Sequence, residues 1–193
     1  MDRIPPIILA SSSPRRKMLL EQIGVSIEDI LPADIDESPL KAELPRQLAG
    51  RLAAEKARHV AASCPGKIIL AADTVVAAGR RLYGKPENAD EARTFLTALS
   101  GRRHDVYGGI TVILPNGKEI SRVVQTVVKV KSLSKQEIEA YLKTGDWEGK
   151  AGAYAIQGPF SAHVKGIIGS YTNIVGLCTY HTRQMLSGLS TRT

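Results

Sequence analysis

The chain has 193 residues, 43% of them hydrophobic and 23% charged, with a formal net charge of +7. That length suits one domain over residues 1–193 with a sizeable core, and that balance excludes disorder. No apolar stretch is long enough to span a bilayer. The positive excess suits a small polyanion such as a nucleotide, a nucleic acid, or simply a basic surface. With two Phe and one Trp, and no aromatics interleaved in the basic stretches, the sequence offers no stacking platform for single strands. Cys64 and Cys178 lie far apart and read as free thiols, which fits a reducing cytoplasm. The histidines His59, His104, His163 and His181 are scattered, so no zinc site is expected. The first residues, Met1–Ala10, lack a basic segment followed by a long apolar one and do not read as a secretory signal.

Strands and helices alternate in the first half. Ile7–Ala10 reads as a short buried strand and Pro14–Ile23 as a helix closed by Gly24. Val25–Leu31 reads as a second strand, and the acidic, Pro-containing Pro32–Leu44 as a loop. Pro45–Ser63 reads as a long helix, Lys67–Val76 as the central strand, Gly79–Pro86 as a turn or short hairpin, and Asn88–Leu99 as a helix. Asp105–Leu114 and Glu119–Ser132 are strand patterns around an Asn-Gly turn. Ser134–Lys143 reads as a helix with capping-box spacing between Ser134 and Glu137. Gly145–Gly158 reads as a loop, Val164–Ile168 as a strand, Asn173–Leu186 as strand or helix, and Ser187–Thr193 as a loose tail. The sum is an α/β fold with a long, mixed sheet.

Asp73 is the most informative residue. It interrupts an apolar, β-branched run that reads as a strand through the core. A carboxylate there costs free energy unless something pairs with it, coordinates it or uses it. It is either a satisfied structural Asp at a strand end or a carboxylate aimed into a cleft.

Five further segments bear on that choice. Ser11-Ser12-Ser13-Pro14-Arg15-Arg16 follows a strand and opens a helix, with Ser13 at the N-cap and Pro14 at the first helical position. Two arginines in a first turn oppose the helix dipole, and a bound anion reverses that penalty. The segment is therefore either a phosphate site built on Ser11, Ser13 and Arg16 or a helix start with solvated arginines. In Pro45–Ser63, Lys56 falls on the stripe made by Ala49, Leu52, Ala53, Ala57 and Val60. It is either a snorkelling lysine or a cation held in a cleft. Asp34-Ile35-Asp36-Glu37 is an acidic loop that suits Mg²⁺ or Mn²⁺ with a triphosphate, or is simply solvated. Gly79–Pro86 spells the start of a P-loop, but Pro86 stands where the metal-binding hydroxyl belongs, so only Lys85 is kept, as a cation. In the small-residue stretch Lys150–Gly158, Gln157 carries both a donor and acceptors suited to a base edge, and Tyr154 reads as packing.

These blocks, with Ala54-Glu55-Lys56-Ala57, Ala72-Asp73-Thr74-Val75-Val76, Ser100-Gly101 and Ile168–Leu177, occur in one order along nearly the whole chain. Together they resemble the Maf family of nucleotide pyrophosphatases. The resemblance implies an elongated mixed sheet with flanking helices in two lobes around a cleft, related to the inosine triphosphate pyrophosphatase fold. It implies cleavage between the α and β phosphates of a nucleoside triphosphate, with a divalent cation, Mg²⁺ or Mn²⁺. Asp73 matches the family's proton acceptor, and Ser11, Arg16, Glu37, Lys56 and Lys85 match its phosphate- and metal-handling positions, with Glu37 and Asp73 as metal ligands. Arg15, Thr74 and Gln157 match the branch acting on dTTP and UTP, whereas the 7-methyl-GTP branch carries Trp, Gln and Glu there. Cys178 departs from the family's Pro after Val-Gly-Leu, a change of chain direction rather than of chemistry. The resemblance is compatible with a homodimer, though no decisive apolar stripe marks one, and it carries a link to division arrest or to removal of modified nucleotides; the cytoplasmic placement rests on the free thiols. A 7-methyl-GTP pyrophosphatase and a non-catalytic nucleic-acid-binding regulator are the alternatives.

Overall fold

Period-two patterning decides which face of the sheet each residue of the central strand serves, and so where Asp73 points. The computed structural model describes residues 4–187. The elements in chain order are β1 (Ile7–Leu9), α1 (Pro14–Gln22), β2 (Ile27–Ile30), α2 (Pro45–Ser63), β3 (Ile69–Ala78), β4 (Arg81–Tyr83) and α3 (Ala89–Leu99). They continue with β5 (Arg103–Ile113), β6 (Glu119–Val130), α4 (Lys135–Leu142), β7 (Val164–Ile168), α5 (Tyr171–Val175) and α6 (Thr179–Ser187). The strands form one sheet in the order β2-β1-β3-β5-β6-β7, with β4 also paired to β3. β1 runs parallel to β2 and β3, and the remaining pairs are antiparallel. This is the mixed α/β architecture the sequence predicts.

On β3, Ile69 and Ala71 pack with Ala57 and Val60 of α2. Val75 packs with Leu48, Ala49 and Leu52 of the same helix. Leu70, Ala72 and Val76 belong to the larger core on the opposite face, with Leu96 and Leu99 of α3, Ile138 and Tyr141 of α4, and Leu186 of α6. Asp73 shares the parity of Ile69, Ala71 and Val75 and so faces α2. Thr74 shares the other parity and faces away.

α2 lies close to the sheet, because its inward residues are small and because β5 offers Gly109 beneath it. A β-carbon on Gly109 would stand 1.9 Å from the Ala49 carbonyl oxygen. Backbone cannot yield to that contact as a flexible side chain would. Gly109→Ala is therefore expected to destabilise the fold by at least about 1–3 kcal/mol, read as a lowered melting temperature. An unchanged melting temperature would show that the helix lifts off the strand at no cost.

The structure departs from the sequence reading in a few places. Val25 does not join β2; its amide bonds to the Leu20 carbonyl and finishes the turn after α1. β3 runs on to Ala78, because β4 pairs with its last residues. Asn173–Leu186 is two helices rather than one element, separated at Gly176, whose φ of 143° few other residues adopt. The loop over 145–158 contains one 3-10 turn, Ala151–Ala153. The capping box of α4 forms as expected, with Ser134 and Glu137 each accepting from the other's amide. Of the tail expected to be loose, residues 188–193 lie outside the described residues. Among the described residues, no helix is long and apolar enough to cross a membrane.

Candidate active site

Strand pairing leaves a gap along one edge of β3. β1 accompanies that edge only as far as Leu70, and β4 takes it up again at Val76. β5 meanwhile pairs the opposite edge from Ile69 to Ala77. Asp73 and Thr74 thus sit where the parallel neighbour ends and the antiparallel one has not begun, a place where sheets open ligand clefts. A cavity of about 600 Å³ opens there. Ser11, Ser13, Arg15, Arg16, Glu37, Lys56, Asp73, Thr74, Lys85 and Gln157, every site residue the sequence singles out, line it.

The loop from β1 into α1 builds one wall. Arg16 donates from Nη1 to Ser11 Oγ at 2.8 Å, from Nη2 to Thr74 Oγ1 at 3.2 Å and from Nε to the Gly176 carbonyl at 3.0 Å. Arg15 Nε donates to the Val175 carbonyl at 3.1 Å. Both guanidiniums are thus anchored on the chain leaving α5, and the solvated-arginine reading does not hold. Burial lowers the pKa of Arg16, opposed by Asp73 and Glu37 and reinforced by neighbouring Arg15. Burial likewise lowers that of Arg15, opposed by Asp146. Two adjacent, partly buried guanidiniums are a strong attractor for an anion. Ser13 takes the extended N-cap backbone, but its hydroxyl makes no capping bond. Its amide donates instead to Ser11 Oγ at 3.3 Å.

The opposite wall holds the charged centre. Lys56 is 8% exposed, and its Nζ lies 2.6 Å from Asp73 Oδ1 and 2.6 Å from Glu37 Oε1. It does not snorkel; the small residues around it let α2 sit low enough to bring the ammonium onto the strand. Asp73 is 7% exposed and stands inside β3, opposite Gly109, rather than at a strand end. Burial raises the pKa of Glu37, but the Lys56 hydrogen bond and charge, with Lys85 and Arg16, outweigh it and hold the carboxyl below its usual range. Of the acidic loop only Glu37 reaches the cavity; exposed Asp36 accepts from the Ser38 amide at 2.9 Å.

The remaining wall comes from the β4 hairpin and the loop over 149–157. Gly79–Pro86 folds as a hairpin, not as a strand-to-helix phosphate loop, so the P-loop reading fails on topology as well as on Pro86. The Gly84 carbonyl accepts from the Gly152 amide at 3.0 Å and ties Lys85 to the Gln157 loop. Tyr154 packs as expected: it stacks on Phe160 with ring centroids 4.6 Å apart, and its hydroxyl lies 2.7 Å from His104 Nε2. Burial pushes the His104 imidazole down to about 4, so it is neutral at physiological pH. Sequence reasoning passed over Lys150, which lines the cavity and donates to the Glu148 carbonyl at 2.9 Å. Its position at the head of the small-residue stretch was the available signal.

Fold and site together define an α/β protein with an anion-binding cleft on an interrupted sheet edge and a carboxylate–ammonium–carboxylate centre inside it. The family model described as "Maf-like protein" matches residues 6–189. The chain is 52% identical over 194 aligned residues to a dTTP/UTP pyrophosphatase of Mesorhizobium japonicum, covering 97% of this chain and 93% of that one. It is 49% identical over 188 residues to a dTTP/UTP pyrophosphatase of Caulobacter vibrioides, covering 97% of each. Among solved structures it is similar to a HAM1 protein from Coxiella burnetii, over 96% of each chain, at 20% identity and a TM-score of 0.47. The chain belongs to the Maf family.

Proposed function

We propose that this chain is a nucleoside triphosphate pyrophosphatase acting on dTTP and UTP. Water attacks the α phosphorus, the bond to the bridging oxygen breaks, and nucleoside monophosphate and pyrophosphate leave. The observation that carries the reading is the placement of one buried strand carboxylate, Asp73, in a cleft walled by Arg16, Lys56 and Lys85. The membership of the family and the relatives' names support the substrate class.

Arg16 and the Ser11–Ser13 loop receive phosphate oxygens, with amides at the start of α1 adding donors. Lys56 and Lys85 spread further positive charge along the polyphosphate. Asp73 accepts the proton of the attacking water. Among the described residues no group of three potential metal ligands is clustered. Glu37 and Asp73 nevertheless flank one ammonium, each meeting Lys56 Nζ at 2.6 Å through a single oxygen, and their remaining oxygens, completed by phosphate oxygens and water, would suit Mg²⁺ or Mn²⁺. These two residues would hold the cation, which would neutralise charge developing on the phosphates.

Gln157, with Arg15 and Thr74, faces the nucleoside. An amide both donates and accepts, as the uracil and thymine edge requires. Gln157→Glu leaves only acceptors and is expected to lower kcat/KM for UTP and dTTP by about tenfold to a hundredfold relative to GTP, the effect of one unmade hydrogen bond. An unchanged UTP-to-GTP ratio removes Gln157 from base reading. The reaction itself is tested by separating products from dTTP, UTP, CTP, ATP, GTP and 7-methyl-GTP incubated with Mg²⁺ or Mn²⁺. Monophosphate and pyrophosphate from dTTP and UTP alone support the reading. The same products from 7-methyl-GTP alone overturn the role given to Arg15, Thr74 and Gln157. No turnover of any nucleotide overturns the enzymatic reading.

A further inference from the structure

Glu37 has no secondary structure to hold it. It lies on the stretch between β2 and α2, and its side chain is half exposed. Its carboxylate nevertheless meets Lys56 at 2.6 Å, so something outside that pair must fix the loop. The side chain in a position to do so is Arg51, five residues before Lys56 on α2.

Every nitrogen of the Arg51 guanidinium is committed. Nε donates to Glu43 Oε1 at 2.7 Å and Nη2 to Glu43 Oε2 at 2.9 Å, a bidentate pair. Nη2 also donates to the Ser38 carbonyl at 2.9 Å, on the residue next to Glu37. Nη1 donates to Glu55 Oε2 at 2.9 Å, one helical turn on. Glu43 in turn accepts from the Leu40 amide at 2.9 Å, and its side chain is only 7% exposed. The loop is therefore gripped at Ser38 and Glu43 by one planar fork rooted in the helix that carries Lys56, and Glu43 extends the grip to the Leu40 amide. A lysine has no such fork and cannot bond Glu43 and the Ser38 carbonyl in the same geometry.

We propose that Arg51 is a positioning residue for the reaction: through Glu43 and the Ser38 carbonyl it sets the loop that delivers Glu37 to Lys56 and the phosphate-binding centre. This rests on the pyrophosphatase reading above. The hydrogen-bond partners of Arg51, Glu43, Glu55 and the Ser38 carbonyl, lie outside the cavity lining, and its effect passes through Glu37.

Two measurements on Arg51→Gln and Arg51→Lys test it, with folding checked by thermal melting. The first is hydrogen exchange of peptides spanning residues 34–43, which needs no turnover. The expected result is faster exchange in both variants, more in Gln than in Lys; unchanged exchange overturns the clamp. The second is a double-mutant cycle with Glu37→Gln, scored by kcat/KM for UTP. Arg51→Gln is expected to lose about tenfold to a hundredfold in the wild-type background, the scale of a misplaced group, and little once Glu37 is already Gln. An equal loss in both backgrounds marks a merely structural role and overturns the proposal. If the wild-type chain turns over no nucleotide, the pyrophosphatase reading fails while hydrogen exchange still decides the clamp.

Discussion

Asp73→Asn is expected to lower kcat for dTTP and UTP by about a hundredfold to ten-thousandfold while leaving the fold intact, the contribution of a positioned general base. The substitution keeps size and shape, so β3 still pairs with β5 through residue 73 and the core on either side is undisturbed. An amide still accepts from Lys56 Nζ through its oxygen, and Lys56 keeps Glu37 as an anionic partner 2.6 Å away. What the amide cannot do is take a proton from water or offer an anionic ligand to a divalent cation. The check is kcat beside a thermal melt on the same preparation. Wild-type turnover by a folded Asp73→Asn protein would remove Asp73 from both roles. A protein that fails to fold would place Asp73 among the structural ion pairs instead.

Two members of the centre, Asp73 and Lys56, are legible because each breaks a periodic pattern, whereas Glu37 stands on a loop and breaks none. Asp73 interrupts a buried strand, and Lys56 occupies a core position of an amphipathic helix. Such local violations mark functional positions more reliably than polar residues on loops do. Period alone already sends Asp73 and Lys56 toward each other: odd-numbered residues of β3 face α2, and Lys56 lies on the face of α2 turned to the sheet. Other contributions left no mark in the sequence. The carbonyls of Val175 and Gly176 that anchor Arg15 and Arg16 are backbone groups some 160 residues away. Gly109 looks like any strand glycine until α2 is seen against it. Arg51 reads as one more helix-surface arginine, and only the folded loop shows that its partners hold the chain just after Glu37.

Lys56→Gln is expected to damage activity and stability together, and the stability loss carries a pH signature. Without the ammonium, buried Asp73 loses its partner, and breaking a buried pair costs about 3–5 kcal/mol, on the order of 10 °C in melting temperature for a chain of this size. Loss of a cation aimed at the phosphates is expected to lower kcat/KM by about a hundredfold or more. Glu37 supplies the pH dependence. Lys56, with Lys85 and Arg16, holds its folded pKa below the ordinary value of 4.5 despite the opposing effect of burial. A carboxyl depressed on folding stabilises the protein above its unfolded pKa and loses that contribution as pH falls through the folded one. The wild type has this contribution and Lys56→Gln largely lacks it. The gap between their melting temperatures should therefore be widest near neutral pH and narrow below about 4.5. Adding Asp73→Asn to Lys56→Gln should recover stability without recovering turnover, because the carboxylate stranded by the first change is then neutral. A melting-temperature gap that stays constant from neutral to acid pH, or a double variant no more stable than Lys56→Gln alone, would show that Lys56 holds this centre through packing rather than through charge.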